Sequence, residues 1–174
     1  MSRREIGFTL NGRPVTVAVD PDQKLARLLR ELGCPGVRIG CDEGVCGACT
    51  VILDGRAVNS CHTYAFQAAG RTIETIEAIG TFDQPHPLQT ALADEGAVQC
   101  GFCTPGLVLS AKALLDREPA PDDELLKRHL DGHLCRCTGY EKIWTAIRRV
   151  SAPEIPDHET RIPDDRSESP GTGR

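Results

Sequence analysis

Eight of the nine cysteines in this 174-residue chain fall into two groups whose spacing suits metal binding. Cys41, Cys46, Cys49 and Cys61 are spaced C-x4-C-x2-C-x11-C. Three thiolates from one loop and a fourth from a following segment make the plant-type spacing for a [2Fe-2S] cluster. Structural zinc also takes four cysteines, but its usual arrangement is two separated C-x2-C knuckles. Disulfides among cysteines this close would close tiny loops for little gain. Cys100, Cys103, Cys135 and Cys137 form the second group, spaced C-x2-C-x31-C-x-C. On spacing alone that group fits tetrahedral zinc and iron with sulfide equally well.

Neighbouring residues support an anionic centre. Gly40, Gly44 and Gly47 let the first loop adopt positive φ and bring backbone N–H groups close to sulfur, where they stabilise negative charge. Thr104-Pro105 after Cys103 and Thr138-Gly139 after Cys137 read as helix starts with threonine caps, which would aim two helix dipoles at one centre. Cys34 is expected to be a small, partly buried hydrophobe. His62, His86, His129, His133 and His158 show no ligand spacing among themselves, and surface or capping roles are expected for all five. No phosphate loop, G-x-S-x-G or H-E-x-x-H run occurs, and no paired acid and base stand out, so the chain is expected to carry electrons and do no bond chemistry.

The elements that must hold these residues divide the chain in two. Ile6, Phe8 and Leu10, then Val15, Val17 and Val19, alternate on either side of Asn11-Gly12 and predict a β-hairpin. Leu25, Leu28, Leu29 and Leu32 predict a short helix stopped by Gly33. The cysteine loop follows to Cys49, then short β-prone runs at Thr50–Leu53 and Arg71–Thr75. Beyond Gly80 the runs Leu88–Leu92, Leu107–Leu115, Leu125–Leu130 and Ile143–Val150 carry helical periodicity, with prolines between them and Asp122-Asp123-Glu124 suited to a first turn. The fold class expected is α+β, with domains at 1–80 and 81–151 and a flexible tail at 152–174, too poor in apolar residues to bury itself.

Composition fits this division. A module of about 75 residues buries only roughly 60% of its extended-chain surface and commonly needs staples. With 4% aromatic residues, the cysteines are the natural source of them. A net charge of -5 offers no basic face for nucleic acid or anionic lipid. No apolar run approaches the roughly 20 residues that span a bilayer and Met1–Glu5 opens no export signal, so a cytoplasmic protein is expected, where thiols stay reduced and clustered cysteines bind metal.

Four segments together carry a resemblance: Gly40-Cys41 through Cys49-Thr50; Val58-Asn59-Ser60-Cys61; Gln99-Cys100-Gly101-Phe102-Cys103-Thr104-Pro105-Gly106; and Leu134-Cys135-Arg136-Cys137-Thr138-Gly139-Tyr140. Across roughly residues 4–150 the chain resembles the small iron–sulfur subunit of the molybdenum hydroxylase (xanthine oxidase) family. The resemblance implies an N-terminal β-grasp, plant-type ferredoxin-like domain and an all-α four-helix domain, each with one [2Fe-2S] cluster, and so favours iron over zinc in the second quartet. It implies a large partner subunit binding the molybdopterin cofactor and substrate, a medium subunit binding FAD, and a dimer of heterotrimers. Electrons would pass from molybdenum to the helical-domain cluster, then to the ferredoxin-like cluster, then to flavin. Gln99 and Cys137 would lie against the pterin. His133 departs from the asparagine common in the family, which puts a local hydrogen bond in doubt. The rival readings are a freestanding two-cluster ferredoxin and a zinc-stabilised scaffold.

Overall fold

Two antiparallel strands open the chain where alternation and turn chemistry agree. In a computed structural model, which describes residues 2–151, β1 (Arg4–Leu10) pairs with β2 (Arg13–Val19) from Arg4↔Val19 to Leu10↔Arg13. Asn11 and Gly12 between them take φ of 51° and 76°, the two-residue turn whose twist matches the strands. Ile6, Phe8 and Leu10 are buried, and Val15 and Val17 pack against them from the partner strand. α1 (Leu25–Glu31) buries Leu25, Ala26, Leu28 and Leu29. Leu32, expected on the same face, is exposed because the helix has already ended there, with ψ at 7° and Gly33 following at φ 89°.

β3 (Thr50–Leu53), β4 (Arg56–Asn59) and β5 (Thr72–Glu74) complete a mixed sheet ordered β2-β1-β5-β3-β4, with β1 and β5 parallel and the other pairs antiparallel. β4 has no counterpart among the expected strands, since its alternation rests on Ala57 and Val58 alone. Its signal lies in Asp54-Gly55, both at positive φ, which repeats the chemistry of Asn11-Gly12. The Asp54 carboxylate accepts from the Thr72 backbone N–H at 2.8 Å and the Arg71 guanidinium at 2.6 Å, which hold its carboxyl below the usual range and pin the turn to β5.

β3 is buried on both faces, and alternation sends its side chains into two cores. Val51 and Leu53 join the core beneath α1, while Ile52 joins the core of the helical half. That half consists of α2 (Pro87–Asp94), α3 (Thr104–Leu115), α4 (Asp123–Leu130) and α5 (Glu141–Ser151). α3 is its pillar, burying Leu107, Val108, Leu109 and Leu114 among others. Each such side chain withdrawn from water contributes roughly 1.5–3 kcal/mol, against at most about 1 kcal/mol for an exposed ion pair, so packing on α3 decides the position of this half. Asp122 caps α4 by accepting from Leu125 N–H at 2.7 Å, and acidic first-turn and basic last-turn residues complement its dipole. The architecture is α+β: one mixed sheet and five α-helices among the described residues. No helix among them is long and apolar enough to cross a membrane. The expected tail, including His158, lies outside the described residues.

Both expected threonine caps are corrected by the structure. Thr104 is already the first residue of α3, and Cys103 occupies the position before it. Thr138 does not sit at the helix start: α5 starts only at Glu141, and Thr138 turns its hydroxyl onto Cys135 Sγ at 3.0 Å while accepting from the Tyr140 N–H at 3.4 Å. One helix N-terminus, that of α3, therefore adjoins the second cysteine group, because Gly139 and Tyr140, both at positive φ, extend the other loop.

Candidate metal centres

The missed strand β4 is what delivers the fourth thiol of the first group. Cys41, Cys46 and Cys49 lie on the loop between α1 and β3. Pairing Thr50 with Asn59 lays the residues after β4 alongside Cys49. Ser60 Oγ then donates to the Cys49 carbonyl at 2.6 Å, and the Cys61 N–H donates to Cys49 Sγ at 3.4 Å. On the other side of the group, the N–H groups of Glu43 and Val45 both point at Cys41 Sγ, each at 3.4 Å. These two donors pull the Cys41 thiol down to about 6. Burial, reinforced by the sulfur of Cys49, pushes Cys61 up to about 12.

In the second group Cys100 and Cys103 precede α3, while Cys135 and Cys137 lie between α4 and α5. Cys137 Sγ and Cys100 Sγ are 3.5 Å apart. The Phe102 N–H lowers Cys100, whereas the contact with Cys100 raises Cys137. Burial pushes Cys103 up to about 12, helped by Cys135. Burial also raises Cys135, but hydrogen bonds from Thr138 outweigh it and the thiol sits below its ordinary value. The Tyr140 phenol clamps this loop, accepting from Cys135 N–H at 2.6 Å and donating to the His133 carbonyl at 3.0 Å.

The sulfurs thus meet in pairs: Cys41 with Cys46, Cys49 with Cys61, Cys100 with Cys137, and Cys103 with Cys135. All nine cysteines are free thiols. Among the described residues no three His, Cys, Asp or Glu side chains converge where one metal ion would sit. A donor set of four thiols in two pairs, with N–H groups aimed at sulfur, fits a two-iron cluster, which takes two thiolates at each iron. Binding would deprotonate the raised thiols outright.

Comparison with known proteins agrees with this donor chemistry. Residues 8–74 match the family described as a 2Fe-2S iron-sulfur cluster binding domain, and residues 75–148 that described as a [2Fe-2S] binding domain. The nicotinate dehydrogenase small FeS subunit of Eubacterium barkeri is 47% identical over 149 residues, spanning 85% of this chain and 95% of its own. The chain belongs to the small iron–sulfur subunit family of the molybdenum hydroxylases. Within that family, the nicotine 6-hydroxylase small subunit of Paenarthrobacter nicotinovorans is also 47% identical, over 83% of this chain and 88% of its own. The crystal structure of quinoline 2-oxidoreductase from Pseudomonas putida 86 aligns at a TM-score of 0.82 and 41% identity, over 87% of this chain and 94% of that one. Aldehyde oxidoreductase from Desulfovibrio gigas aligns equally well, but the match covers only 17% of its chain, so there the region is part of a longer polypeptide.

The remaining sequence-singled residues of this iron–sulfur subunit fall as follows. Gln99 is exposed beside Cys100, and Val98, Phe102 and Leu134 are exposed as well. Cys34 is buried near Asn11 and Thr75, its thiol raised by burial, and joins neither group. His62 packs against Gly44, and His86 caps α2 by accepting from Leu88 N–H. His133 overturns the surface expectation: it is 7% exposed, between the two cysteine groups. Sequence reading missed Tyr140 as a clamp and Gly106 as a contact point, where a side chain would strike the Gly47 carbonyl. Both stand within or beside the cysteine motifs, which is the one signal that marks them.

Proposed function

We propose that this chain is the electron-transfer subunit of a molybdenum hydroxylase, holding one [2Fe-2S] cluster on Cys41, Cys46, Cys49 and Cys61 and a second on Cys100, Cys103, Cys135 and Cys137. When bound, the clusters supply one-electron carriers that connect the molybdopterin centre of a large partner subunit with FAD on a medium one. The observation that carries this is the pairing of thiols within each group beneath backbone N–H donors. Glu43 and Val45 N–H hold negative charge at Cys41, Phe102 N–H does so at Cys100, and the Thr138 hydroxyl does so at Cys135. Ser60 and Tyr140 fix the segments that bring the late cysteines to the early ones.

The strand order supports a β-grasp, ferredoxin-like domain over 1–80, and α2 to α5 support a four-helix domain over 81–151. In this reading Gln99 and Cys137, exposed side by side with Cys100, face the pterin of the large subunit. The assembled enzyme is a cytoplasmic dimer of heterotrimers. Relatives named as small subunits support partnership over a freestanding ferredoxin. The test is chemical analysis of the purified complex. Iron and acid-labile sulfide at about four each per chain, with two distinct paramagnetic signals on reduction, are expected. A colourless zinc protein, or a chain that purifies without molybdenum and flavin partners, overturns the reading.

A further inference from the structure

The joint between the two cysteine groups is built around one side chain. Gly47 of the first loop, at φ 71°, sits so close to the second that a Cβ there would lie 2.6 Å from His133 Cδ2 and 2.7 Å from the Gly132 carbonyl oxygen. Gly106, three residues beyond Cys103, meets the same Gly47 from the helical side. Within this joint the Leu134 N–H donates to the Cys46 carbonyl at 3.0 Å. A residue next to Cys135 is thereby bonded to a residue of the other group.

Hydrogen-bond bookkeeping fixes the state of the His133 ring. The Thr50 hydroxyl donates to the Gly47 carbonyl at 2.7 Å, its shortest contact, with Asn59 Oδ1 at 3.3 Å as the other acceptor, and this assigns His133 Nε2, at 3.0 Å, as the donor to Thr50 Oγ1. Nδ1 is then a bare acceptor, and it has no partner. Burial, with the nearby charge of His129, holds the ring's pKa down at about 4, consistent with that neutral form. The result is a continuous chain, His133 Nε2–H to Thr50 Oγ1–H to Gly47 C=O, beside Cys49 at one end. At the other end the His133 carbonyl receives the Tyr140 phenol that holds Cys135.

We infer that His133 is a positioning residue for electron transfer between the two centres: wedged between Gly47 and Thr50, it sets the contact of Cys46 with Leu134 and hence the spacing of the two thiol groups. This rests on the functional reading above. The transfer it supports moves one electron from the reduced centre on Cys100, Cys103, Cys135 and Cys137 to the oxidised centre on Cys41, Cys46, Cys49 and Cys61. No bond forms or breaks, and His133 exchanges no proton.

The test uses the assembled enzyme with His133→Phe, which fills the space without the donor, and His133→Gln, which places an amide N–H near the Nε2 position. Three quantities are measured: iron and sulfide content with each centre's own paramagnetic signal, the magnetic splitting between the two reduced centres, and the rate of transfer between them. His133→Phe is expected to keep both individual signals, to lose splitting, and to slow transfer severalfold, because electron transfer weakens steeply as the distance between centres grows. His133→Gln is expected to restore both splitting and rate. Unchanged splitting and rate in His133→Phe would overturn the inference while leaving the electron-transfer role standing. Failure of His133→Gln to restore what His133→Phe loses, with both signals intact, also overturns it. A wild-type enzyme lacking two such signals overturns the role as well.

Discussion

Replacing Gly47 by alanine tests whether the two halves are held together by close backbone contact. Gly47 sits at φ 71°, and left-handed backbone costs an alanine about 1–2 kcal/mol. The new Cβ would also lie 2.6 Å from His133 and 2.7 Å from the Gly132 carbonyl, and overpacking of that kind costs about 1–3 kcal/mol. Loss of freedom in the unfolded chain returns about 0.4–1 kcal/mol, leaving a net destabilisation of about 2–4 kcal/mol. Gly12 is the internal control, because it has φ 76° but nothing within 4 Å of its Cβ direction. Gly12→Ala carries the conformational part alone, about 1 kcal/mol. For a folded region of this size, about 2–4 °C of melting temperature follows each kcal/mol. Calorimetry of the iron-loaded enzyme should therefore show a drop of about 2–4 °C for Gly12→Ala and about 10 °C for Gly47→Ala. Equal drops in the two variants would refute the claim that Gly47 is a packing point between the halves.

Cys46→Ser should remove the first centre and spare the second, since each group draws its thiols from its own segment; iron per chain should fall by half, and loss of both paramagnetic signals would contradict independent assembly. Tyr140→Phe leaves the Cys135 N–H and the His133 carbonyl without their partner, at about 1–3 kcal/mol, so a chelator should strip iron faster from the second centre than from the first. His133 predicts an acid slope. Its folded pKa of about 4 lies below the ordinary 6.5, so the unfolded chain takes up the proton first, and stability present above pH 6.5 is lost as pH falls toward 4. Between pH 7 and 5 this amounts to about 2 kcal/mol, and the slope in denaturant midpoint should flatten in His133→Gln. Gln99→Ala should keep both centres while slowing reduction by substrate in rapid-mixing experiments; unchanged turnover would place Gln99 away from the pterin.

What was legible in the sequence was local. Thiol spacing, strand alternation and helical periodicity operate over a few residues, and the hairpin, α1, β3 and all four later helices follow them. β4 escaped because only two apolar residues mark it, although its turn was written in Asp54-Gly55. Thr-Pro and Thr-Gly look alike as helix starts in sequence, while in the structure Gly139 and Tyr140 adopt positive φ and postpone α5 to Glu141. The burial of His133, expected at the surface or as a cap, was not legible. Its partner Thr50 is 83 residues away, and no periodicity in either segment encodes that pairing.

Exposure within the two groups argues for a relay over a structural staple. A structural site needs only that protein ligands fill all four positions at the metal, and it gains nothing from a surface open to partner proteins. Here each group is divided. Cys49 and Cys61 are buried while Cys41 and Cys46 are half-buried; Cys103 is buried while Cys100 and Cys137 are exposed. Exposed Val45 stands beside Cys46, and exposed Phe102 and Leu134 stand beside Cys103 and Cys135. Between the groups, by contrast, the contact is tight enough to require glycine at 47 and 106, and the imidazole at 133 is buried in it. Open at the outer sulfurs and close-packed at the joint, the chain has the distribution of access that suits passing an electron between other proteins and that holding a fold together does not need.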